Sequence, residues 1–495
     1  MKAESPRLRE LLAEVPGAVL TGDGGVAVSD VTHDSRKVGA GSLFVAIRGL
    51  QTDGNQFVEA AIRKGATAIV SEQPPRQGVA WARVSDAREA LALLSAAHLG
   101  HPAKRLTLVG VTGTNGKTTT TYLIDSILRA AGHRTGLVGT IQYRVGERLA
   151  EAVRTTPESS DLHRLFREMV DAGVSHAVLE VSSHSLSLKR VLGCDFRVAV
   201  FTNLTRDHLD FHGDMDAYFA AKRALFDTRL RADGHAVLNA DDDRAEVLRR
   251  ASRGAVLTYG IERAADYRAE AVSLSLLGAR FTLRTPTSSV PLETPLLGRF
   301  NVQNVLAACG AAYALGVPQE AIVRGVASLA GVPGRMEGVV AGQDFAVIVD
   351  YAHTHDALKN LLETVRELTP RRLIVVFGCG GDRDKTKRPL MGAMAARLAD
   401  VAVVTSDNPR SEPPEAILED IASGMNGYRK AERHVIADRR EAIAKAVEMA
   451  SPGDAVVIAG KGHEPYQVLR ERTVPFDDRQ VAREALLRLA PKGRA

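Results

Sequence analysis

The chain has 495 residues, of which 45% are hydrophobic and 25% charged, and its mean hydropathy is −0.07. This length predicts about three domains, and the composition excludes collagen-like or wholly disordered chains. Lys and Arg number 64 against 59 Asp and Glu, a formal net charge of +5 without any run of five like charges, so we expect no nucleic-acid partner.

The cysteines and the N-terminus bear on where the protein works. Cys194, Cys309 and Cys379 are widely spaced, which is typical of a reducing compartment, and none has metal-ligand spacing. Glu14 and Pro16 interrupt the apolar residues near the start, and no stretch approaches the roughly 20 apolar residues that span a bilayer. We therefore expect a cytoplasmic protein with no membrane partner.

Short hydrophobic runs followed by helical patterns predict parallel α/β blocks. In the first block a helix is predicted over Asp86–His98, and the turn at residues 100–102 marks a domain boundary, which gives domain 1–102. The second block opens with the predicted strand Arg105–Val111. Its later elements are the strands Ala177–Val181 and Val198–Asn203 and the helix Met215–Phe226.

The pattern changes after about Val256. Short alternating segments up to Leu297 predict a small antiparallel meander packed on the second sheet; they include Tyr267–Leu276 and Ala279–Arg284. The Pro/Gly-rich residues 331–334 predict a hinge, so the remaining domains are 103–333 and 334–495. The last domain is predicted as an open α/β sheet with the strands Ala346–Asp350, Leu373–Phe377, Val401–Thr405, His434–Ala437 and Ala455–Ala459.

A Gly-rich turn follows the first strand of the second block and precedes a helix. Its residues are Gly113, Thr114, Asn115, Gly116, Lys117, Thr118 and Thr119. Backbone N–H groups there can face an anion, Lys117 can reach terminal phosphates, and Thr118 can ligate Mg²⁺. The general phosphate-loop motif would need glycine at Val111, so a shorter variant is present. We predict an ATP phosphate site; the alternative is a turn that caps an ordinary helix.

The loop and several later segments resemble the Mur ligases and their folylpolyglutamate synthetase relatives. Those segments, in the family's order, are residues 34–36, 180–184, 202–210, 220–222, 298–304, 333–337, 350–353 and 407–410. The resemblance implies an N-terminal α/β domain that binds a uridine nucleotide, a central P-loop-type sheet and a C-terminal Rossmann-like sheet. It also implies an ADP-forming amide ligase. The segments resemble most specifically the ligases that add the third residue of the peptidoglycan stem peptide.

The family's catalytic and metal residues carry over to a short set of positions. The resemblance assigns catalysis to Lys117, Glu180, His208 and Lys222. Thr118 and Glu180 fit one Mg²⁺, and the resemblance implies a second Mg²⁺ held by Glu180, His208 and Lys222. The resemblance also implies that Lys222 is carbamylated to N6-carboxylysine, which turns a cation into an oxygen-bearing anion suited to Mg²⁺. An arbitrary lysine or histidine would more often be solvated or structural. His184 receives no assignment.

The resemblance also places the nucleotide. Adenine would lie near Asn301 and Asn304, which are close to one helical turn apart, with Arg335 on the phosphates and Asp350 near the ribose. The alternatives are a helix cap at Asn301 and a surface arginine at Arg335. Closure of the third domain would exclude water, which matters because an acyl phosphate hydrolyses.

The implied acceptor is UDP-N-acetylmuramoyl-L-alanyl-D-glutamate. The resemblance assigns its uridine and muramoyl-dipeptide parts to Ser35, Gln51, Thr52, Thr155, Thr156, Ser182 and Arg190. Without the family order, polar loop residues of this kind would be interpreted as merely solvated.

The implied amine substrate is meso-diaminopimelate, which differs from lysine by a carboxylate beside its distal amine. A selective site needs a cation for that carboxylate and an acid for the ammonium, and Arg410 and Asp407 can supply both. The resemblance adds Arg383, Asn408, Gly460 and Glu464. The alternative is a turn followed by a surface arginine.

Two rival functions remain open. A folylpolyglutamate synthetase-like ligase would share the central block but would not need residues 34–36 or the loop at 407–410. A non-catalytic nucleotide-binding protein could use the same fold, because fold alone does not establish activity.

One departure from the family pattern is His355, where proline is usual; we expect it to have little chemical consequence. We expect a monomer.

Overall fold

The computed structural model describes residues 5–49, 52–76, 78–369, 371–428 and 430–489. The chain packs as two compact units. The first holds the described residues up to Arg268 with Arg284–Ser288 and Gln303–Gly325, and the second holds Ala269–Leu283, Ser289–Val302 and the described residues from Val326 onward. Within the described ranges, every helix is too short or too polar to cross a membrane.

The N-terminal region is a five-stranded sheet with strand order β1-β5-β4-β3-β2. Its strands are β1 (Val19–Thr21), β2 (Asp30–Thr32), β3 (Ser42–Val45), β4 (Ala68–Ser71) and β5 (Ala80–Arg83), and its helices are α1 (Leu8–Leu12), α2 (Val58–Arg63) and α3 (Ala87–His98). Strand β1 is antiparallel to β5 and the other pairs are parallel. The Asp86 carboxylate accepts the first N–H groups of α3, so the predicted helix begins one residue later than expected.

The central sheet places β6 between β10 and β11. Its strands in the first unit are β6 (Thr107–Thr112), β7 (Thr135–Val138), β8 (Gln142–Val145), β9 (Arg148–Glu151), β10 (His176–Glu180), β11 (Phe196–Phe201), β12 (Leu230–Asn239) and β13 (Ala255–Gly260). Strands β7, β10, β6, β11, β12 and β13 are parallel neighbours, whereas β8 and β9 are antiparallel additions. The carboxyl ends of β6, β10 and β11 therefore meet at one edge, where ligands collect in such sheets.

Helices cover this sheet. They are α4 (Lys117–Ala130), α5 (Ser159–Asp171), α6 (Ser183–Ser187), α7 (Leu209–His212), α8 (Met215–Ala224) and α9 (Ala245–Ala251). The predicted helix Met215–Phe226 is α8 followed by a wider turn over Leu225–Arg229. All three strands predicted for this block are present, with ends displaced by one or two residues.

The predicted meander consists of β14 (Tyr267–Ser275), β15 (Gly278–Arg284) and β16 (Ser289–Thr294), which are successive neighbours. The start of β14 pairs with β13 through Tyr259 and Tyr267. The segment therefore begins as a further strand of the central sheet rather than as a layer packed on it. Helices α10 (Arg299–Ala314) and α11 (Gln319–Ser328) follow.

The C-terminal region is a six-stranded open sheet with order β17-β18-β22-β19-β20-β21. Its strands are β17 (Glu337–Gly338), β18 (Ala346–Asp350), β19 (Leu373–Phe377), β20 (Val401–Val404), β21 (Glu432–Val435) and β22 (Ala455–Ala459), and a separate ribbon comprises β23 (Tyr466–Val468) and β24 (Thr473–Pro475). Its helices are α12 (His355–Leu368), α13 (Lys387–Leu398), α14 (Pro414–Ser423), α15 (Arg439–Met449) and α16 (Asp478–Leu489).

The α/β fold class with three sheet-bearing regions is confirmed. Three of the five strands predicted for the last region have the expected bounds, because their continuous Val/Ile/Leu runs are buried on both faces. The domain boundaries at residues 102 and 333 stay predictions, since the first two sheets lie in one compact unit.

Candidate active site

The Gly-rich loop connects β6 to α4 and has two positions that accept only glycine. Gly113 has φ +149°, and a Cβ there would lie 1.8 Å from Thr202 Oγ1. Gly116 has φ +84°, and its Cβ would lie 2.3 Å from Asn304 Oδ1. The loop can therefore close against its neighbours only with these two glycines. The loop ends at the first turn of α4, whose backbone N–H groups carry partial positive charge.

Residues after β11 hold the loop in place. Thr114 N donates to Asn203 O at 2.8 Å, and Asn115 N donates to Asn203 Oδ1 at 3.0 Å. The hydroxyl of Thr202 donates to Asn115 O at 2.6 Å. Lys117 Nζ lies over the same loop, 3.0 Å from Gly113 O and 2.8 Å from Thr114 O. The lysine ammonium thus lies against the backbone of the loop.

Glu180 ends β10 beside the loop, and it is 1% exposed. Its Oε2 accepts hydrogen bonds from the hydroxyls of Thr118 and Thr140, each at 3.0 Å, and its Oε1 accepts the N–H of Thr140 at 2.8 Å. All three donors are neutral. The structure therefore brings a buried carboxylate and the Thr118 hydroxyl together at the loop. Both groups offer hard oxygen atoms, and the three neutral donors do not balance the negative charge of the carboxylate.

Lys222 on α8 is buried against the loop with 1% exposure. Its Nζ donates to Gly113 O at 2.8 Å and lies 4.5 Å from the centre of the Tyr218 ring. Burial, with the nearby charge of Lys117, lowers the pKa of Lys222 well below its ordinary value, although Asp207 opposes the shift. The fold therefore shifts the amine toward its neutral form.

His208 immediately precedes α7 and has φ +53°, a left-handed backbone conformation that is unusual for a residue other than glycine. Its ring lies 6.0 Å from that of Tyr218 and 4.8 Å from that of His184. Burial lowers its pKa against the opposing charge of Asp207, and Lys117 and Lys222 add to the lowering. The imidazole is therefore biased to the neutral form, which can ligate a metal.

The predicted Mg²⁺ ligands are assembled only in part. Among the described residues, no group of three or more His, Cys, Asp or Glu side chains is arranged to hold a metal. The donor set still fits Mg²⁺, because Glu180 and Thr118 supply hard oxygens at a buried site whose charge these neutral donors do not balance. His208 and Lys222 both neighbour the Tyr218 ring, and the Tyr218 hydroxyl lies 3.1 Å from Thr114 Oγ1 in the loop.

The predicted acceptor residues fall into two groups. Thr155, Thr156, Ser182 and Arg190 surround the end of β10: Thr156 Oγ1 donates to Glu180 O at 2.7 Å, and Arg190 Nη1 donates to Thr156 O at 3.2 Å. Thr155 Oγ1 lies 3.1 Å from the Thr140 hydroxyl, and Ser182 caps α6. Ser35 and the exposed Thr52 belong instead to the N-terminal region, and Gln51 lies outside the described residues.

The N-terminal region reaches the central region through α5. His33 Nδ1 lies 3.0 Å from the Ser160 hydroxyl, and Lys37 pairs with Asp161 at 2.9 Å. Ser35 lies between these two contacts in the chain. The structure therefore places Ser35 near the start of α5.

The predicted nucleotide residues divide between the two units. In the first unit, Asn304 Oδ1 accepts the Thr120 hydroxyl at 3.3 Å and lies beside Gly116. In the second unit, Asn301 lies inside α10 and donates to Leu297 O at 2.8 Å, so the alternative of a cap at its start is wrong. Arg335 lies 5.1 Å from the Tyr351 ring, and Asp350 accepts the N–H groups of Met336 and Ala352.

The predicted diaminopimelate residues form two neighbouring clusters in the second unit. Asn408 Nδ2 donates to Glu464 Oε2 at 3.0 Å, and a Cβ on Gly460 would lie 3.2 Å from Asp407 Oδ2. Arg383 and Arg410 both lie beside Gly380, where a Cβ would be 2.8 Å from Arg410 Nη1. Arg410 has φ +52° and donates to Gly381 O at 2.8 Å. The acidic residue Asp407 and the basic residue Arg410 thus belong to one loop, which follows β20.

Comparisons with known proteins agree with this geometry. Models described as the Mur ligase family catalytic domain, the Mur ligase middle domain, and the Mur ligase glutamate ligase domain match residues 27–104, 111–312 and 334–462. The chain belongs to the Mur ligase family.

Relatives of this Mur ligase chain share most of its length. It is 50% identical to a UDP-N-acetylmuramoyl-L-alanyl-D-glutamate--2,6-diaminopimelate ligase of Solibacter usitatus, over 93% of each chain. It is 48% identical to the protein of that name from Geobacillus kaustophilus, over 97% of this chain and 99% of the relative. A solved structure with that name is 36% identical, with a TM-score of 0.73 over 98% of this chain and 99% of the other.

Several side chains that organise this Mur ligase site were missed in the sequence. Tyr218 touches the loop and Lys222, and Thr140 binds Glu180 twice. Glu158 accepts Arg190 Nε at 2.6 Å and pairs with Arg88 at 3.3 Å. Lys461 lies among the predicted amino-acid ligands. A tyrosine or threonine carries no pattern that marks such a role, but the acid at Glu158 and the lysine within residues 460–464 stood beside assigned positions.

Proposed function

We propose that this chain joins meso-diaminopimelate to UDP-N-acetylmuramoyl-L-alanyl-D-glutamate while ATP becomes ADP and phosphate. The names of relatives that are 48–50% identical over at least 93% of the chain support this substrate pair. The product would be a peptidoglycan precursor. We also propose that the protein works in the cytoplasm as a monomer and that its loss affects cell-wall biogenesis, cell shape and cell division.

One observation carries the proposal: the buried Glu180 carboxylate lies beside the Gly-rich loop and accepts three hydrogen bonds from neutral donors, one of them the Thr118 hydroxyl at 3.0 Å. A site of this kind attracts a cation. Thr118, Glu180, His208 and Lys222 would hold Mg²⁺, which when bound neutralises phosphate charge during transfer. Lys117, with its Nζ on the loop, would then bind the β- and γ-phosphates.

The reaction couples two displacements. A D-glutamyl carboxylate oxygen attacks the γ-phosphorus of ATP, the bond to ADP breaks, and an acyl phosphate forms. The amine nitrogen of diaminopimelate then attacks the acyl carbon, and inorganic phosphate leaves as the amide forms and the amine loses a proton. The chain's own part is to position the reactants and to stabilise the charge that develops.

Lys222 fits the proposed carbamate. Burial shifts its amine toward the neutral form, which is the form that adds to carbon dioxide. The resulting anion would lie against Gly113 and close to Lys117, whose positive charge favours it. Carbon-13 NMR of protein incubated with labelled bicarbonate should show a carbamate signal that the Lys222→Met variant lacks.

The two substrates would occupy the residues gathered around the sheet edges. Thr155, Thr156, Ser182 and Arg190 would bind the muramoyl dipeptide, and Ser35, Gln51 and Thr52 the uridine part. Asn301, Asn304, Arg335 and Asp350 would bind the nucleotide. Asp407, Asn408, Gly460 and Glu464 would bind the distal ammonium of diaminopimelate, and Arg383 and Arg410 its carboxylate.

The test is ADP release by the purified protein with the UDP-dipeptide acceptor and either meso-diaminopimelate or L-lysine. We expect turnover with diaminopimelate and little with lysine. Release only with a folate and glutamate would favour a folylpolyglutamate synthetase-like ligase. No release with any acceptor, despite nucleotide binding, would favour a non-catalytic protein and contradict the proposal.

A further inference from the structure

Lys461 is a fully buried cation in the middle of the predicted amino-acid site. Its side chain is 0% exposed. Its Nζ donates to Asn408 Oδ1 at 2.9 Å and lies 3.5 Å from both Asp407 Oδ1 and Glu464 Oε2. One lysine head thus contacts three of the residues that the proposed function assigns to diaminopimelate.

The contact with Asn408 decides how that amide is oriented. Asn408 Oδ1 accepts from Lys461 Nζ and from the N–H of Val468, each at 2.9 Å. The amide nitrogen must therefore point the other way, where it donates to Glu464 Oε2 at 3.0 Å. Lys461 consequently holds Asn408 and Glu464 in one relative arrangement.

Lys461 adds one positive charge to a site of mixed charges. Asp407 and Glu464 contribute two negative charges, and Arg383, Arg410 and Lys461 contribute three positive charges. Arg439 is not counted, because it pairs with Asp478; it donates to Ala459 O at 3.0 Å. Without Lys461 the site would lose one positive charge.

The positive charge of Lys461 favours one substrate over the other. The distal end of diaminopimelate carries an ammonium and a carboxylate and is neutral overall, whereas the distal end of lysine carries only an ammonium. A buried positive charge opposes a cationic end more than a neutral zwitterionic end, so removing it shifts the preference of the site toward lysine.

A purely structural role explains the lysine less well. Burying a charge costs free energy, and well-packed apolar residues often replace buried ion pairs without loss of stability. A structural lysine would also need no particular relation to the substrate ligands, yet both of its ionic partners belong to them.

We propose that Lys461 is a positioning residue that makes the site selective for an amino acid with a zwitterionic distal end over one with a cationic end. The inference rests on the proposed function. It deepens that function by assigning selectivity to a residue that orients Asn408 and Glu464 and offsets one carboxylate, in addition to the direct contacts of Arg410.

The test measures kcat/KM for meso-diaminopimelate and for L-lysine in wild type, Lys461→Met and the control Lys445→Met, which alters an exposed lysine on α15. We expect the ratio of the two values to shift toward lysine by about tenfold or more in Lys461→Met, the scale of one unit charge acting over several ångströms in a protein. The KM for ATP should stay within about twofold, and Lys445→Met should match wild type.

The outcomes are separable. An equal loss with both amino acids, or no change in the ratio, would overturn the role of Lys461, because a merely structural lysine affects both substrates alike. If Lys461→Met fails to fold, Lys461→Gln removes the charge and keeps a donor toward Asn408; failure of both to fold would also overturn the proposal. Absence of wild-type turnover with diaminopimelate would instead contradict the proposed function itself.

Discussion

Single residues show where a sequence pattern reaches its limit. The run from Gly113 to Thr119 predicts the phosphate loop because the chemistry needs glycines and a lysine at fixed spacing, and the structure shows Gly113 and Gly116 where no Cβ fits. Tyr218 and Lys461 were missed because their roles depend on neighbours distant in the chain. A pattern identifies groups that carry chemistry more readily than groups that position them.

The loop lysine supplies the first prediction. Lys117→Ala removes the cation that lies over Gly113 and Thr114, so phosphoryl transfer loses its nearest positive side chain. We expect ADP formation to fall by about 100-fold or more, the scale of one lost transition-state contact. The exposed Lys104→Ala variant serves as the control. Full activity of Lys117→Ala would refute the phosphate role.

The loop after β20 supplies the second. Arg410→Ala should raise the KM for diaminopimelate by about tenfold or more and leave kcat within about twofold, because the substrate carboxylate loses a charged partner. Steady-state kinetics at saturating ATP measure both values, and the exposed Arg397→Ala on α13 is the matched control. An unchanged KM and an unchanged preference over lysine would contradict the assignment of Arg410.

At the scale of elements, the helices predicted over Asp86–His98 and Met215–Phe226 are each displaced at one end. Helix α3 ends at His98 as predicted but begins after Asp86, whose carboxylate caps it. The end of α8 was predicted at Phe226, but the chain widens into Leu225–Arg229, a change that no local propensity indicates. The antiparallel additions β8 and β9 also went unpredicted, since their short segments lack a distinctive period.

Helix α5 carries a buried histidine that makes the stability of the protein depend on pH. His163 is fully buried with no partner for Nδ1, and burial lowers its pKa from 6.5 to about 4. Because the unfolded chain binds the proton first, stability is full above pH 6.5 and falls as the pH drops toward 4. When the pH falls from 7 to 5, this histidine should lower the free energy of unfolding by about 2 kcal/mol.

Urea unfolding at both pH values checks this expectation. The His163→Phe variant should lose about 2 kcal/mol less than wild type on going from pH 7 to pH 5. The exposed His355→Ala variant should behave as wild type. An equal pH dependence in His163→Phe and wild type would show that His163 does not remain neutral in the folded protein.

The start of α12 tests the departure from the family pattern at residue 355. The helix begins at His355, with Thr354 extended and its hydroxyl accepting the N–H of Ala357. Proline fits a first helical position after an extended residue, so His355→Pro should stabilise the protein by about 0.5 kcal/mol. Turnover should stay within about twofold; a strong change would mean that residue 355 takes part in the chemistry.

For the whole molecule, the order of α/β blocks was predictable because buried parallel strands are nearly continuous Val/Ile/Leu runs. What the sequence could not supply is the packing of blocks: the first two sheets form one compact unit, and parts of the segment from Ala269 to Val302 belong to the second. The resemblance assigned residues such as Glu180 and Lys222, and the structure adds that both are buried at the loop. Their roles stay predictions.

We expect ATP to activate an acceptor carboxylate at the phosphate loop. The most direct measurement supplies the acceptor with oxygen-18 in its D-glutamyl γ-carboxylate and analyses the phosphate released with meso-diaminopimelate by mass spectrometry. One labelled oxygen should pass to each phosphate, since the acyl phosphate breaks between carbon and that oxygen. Unlabelled phosphate during amide formation would contradict the account.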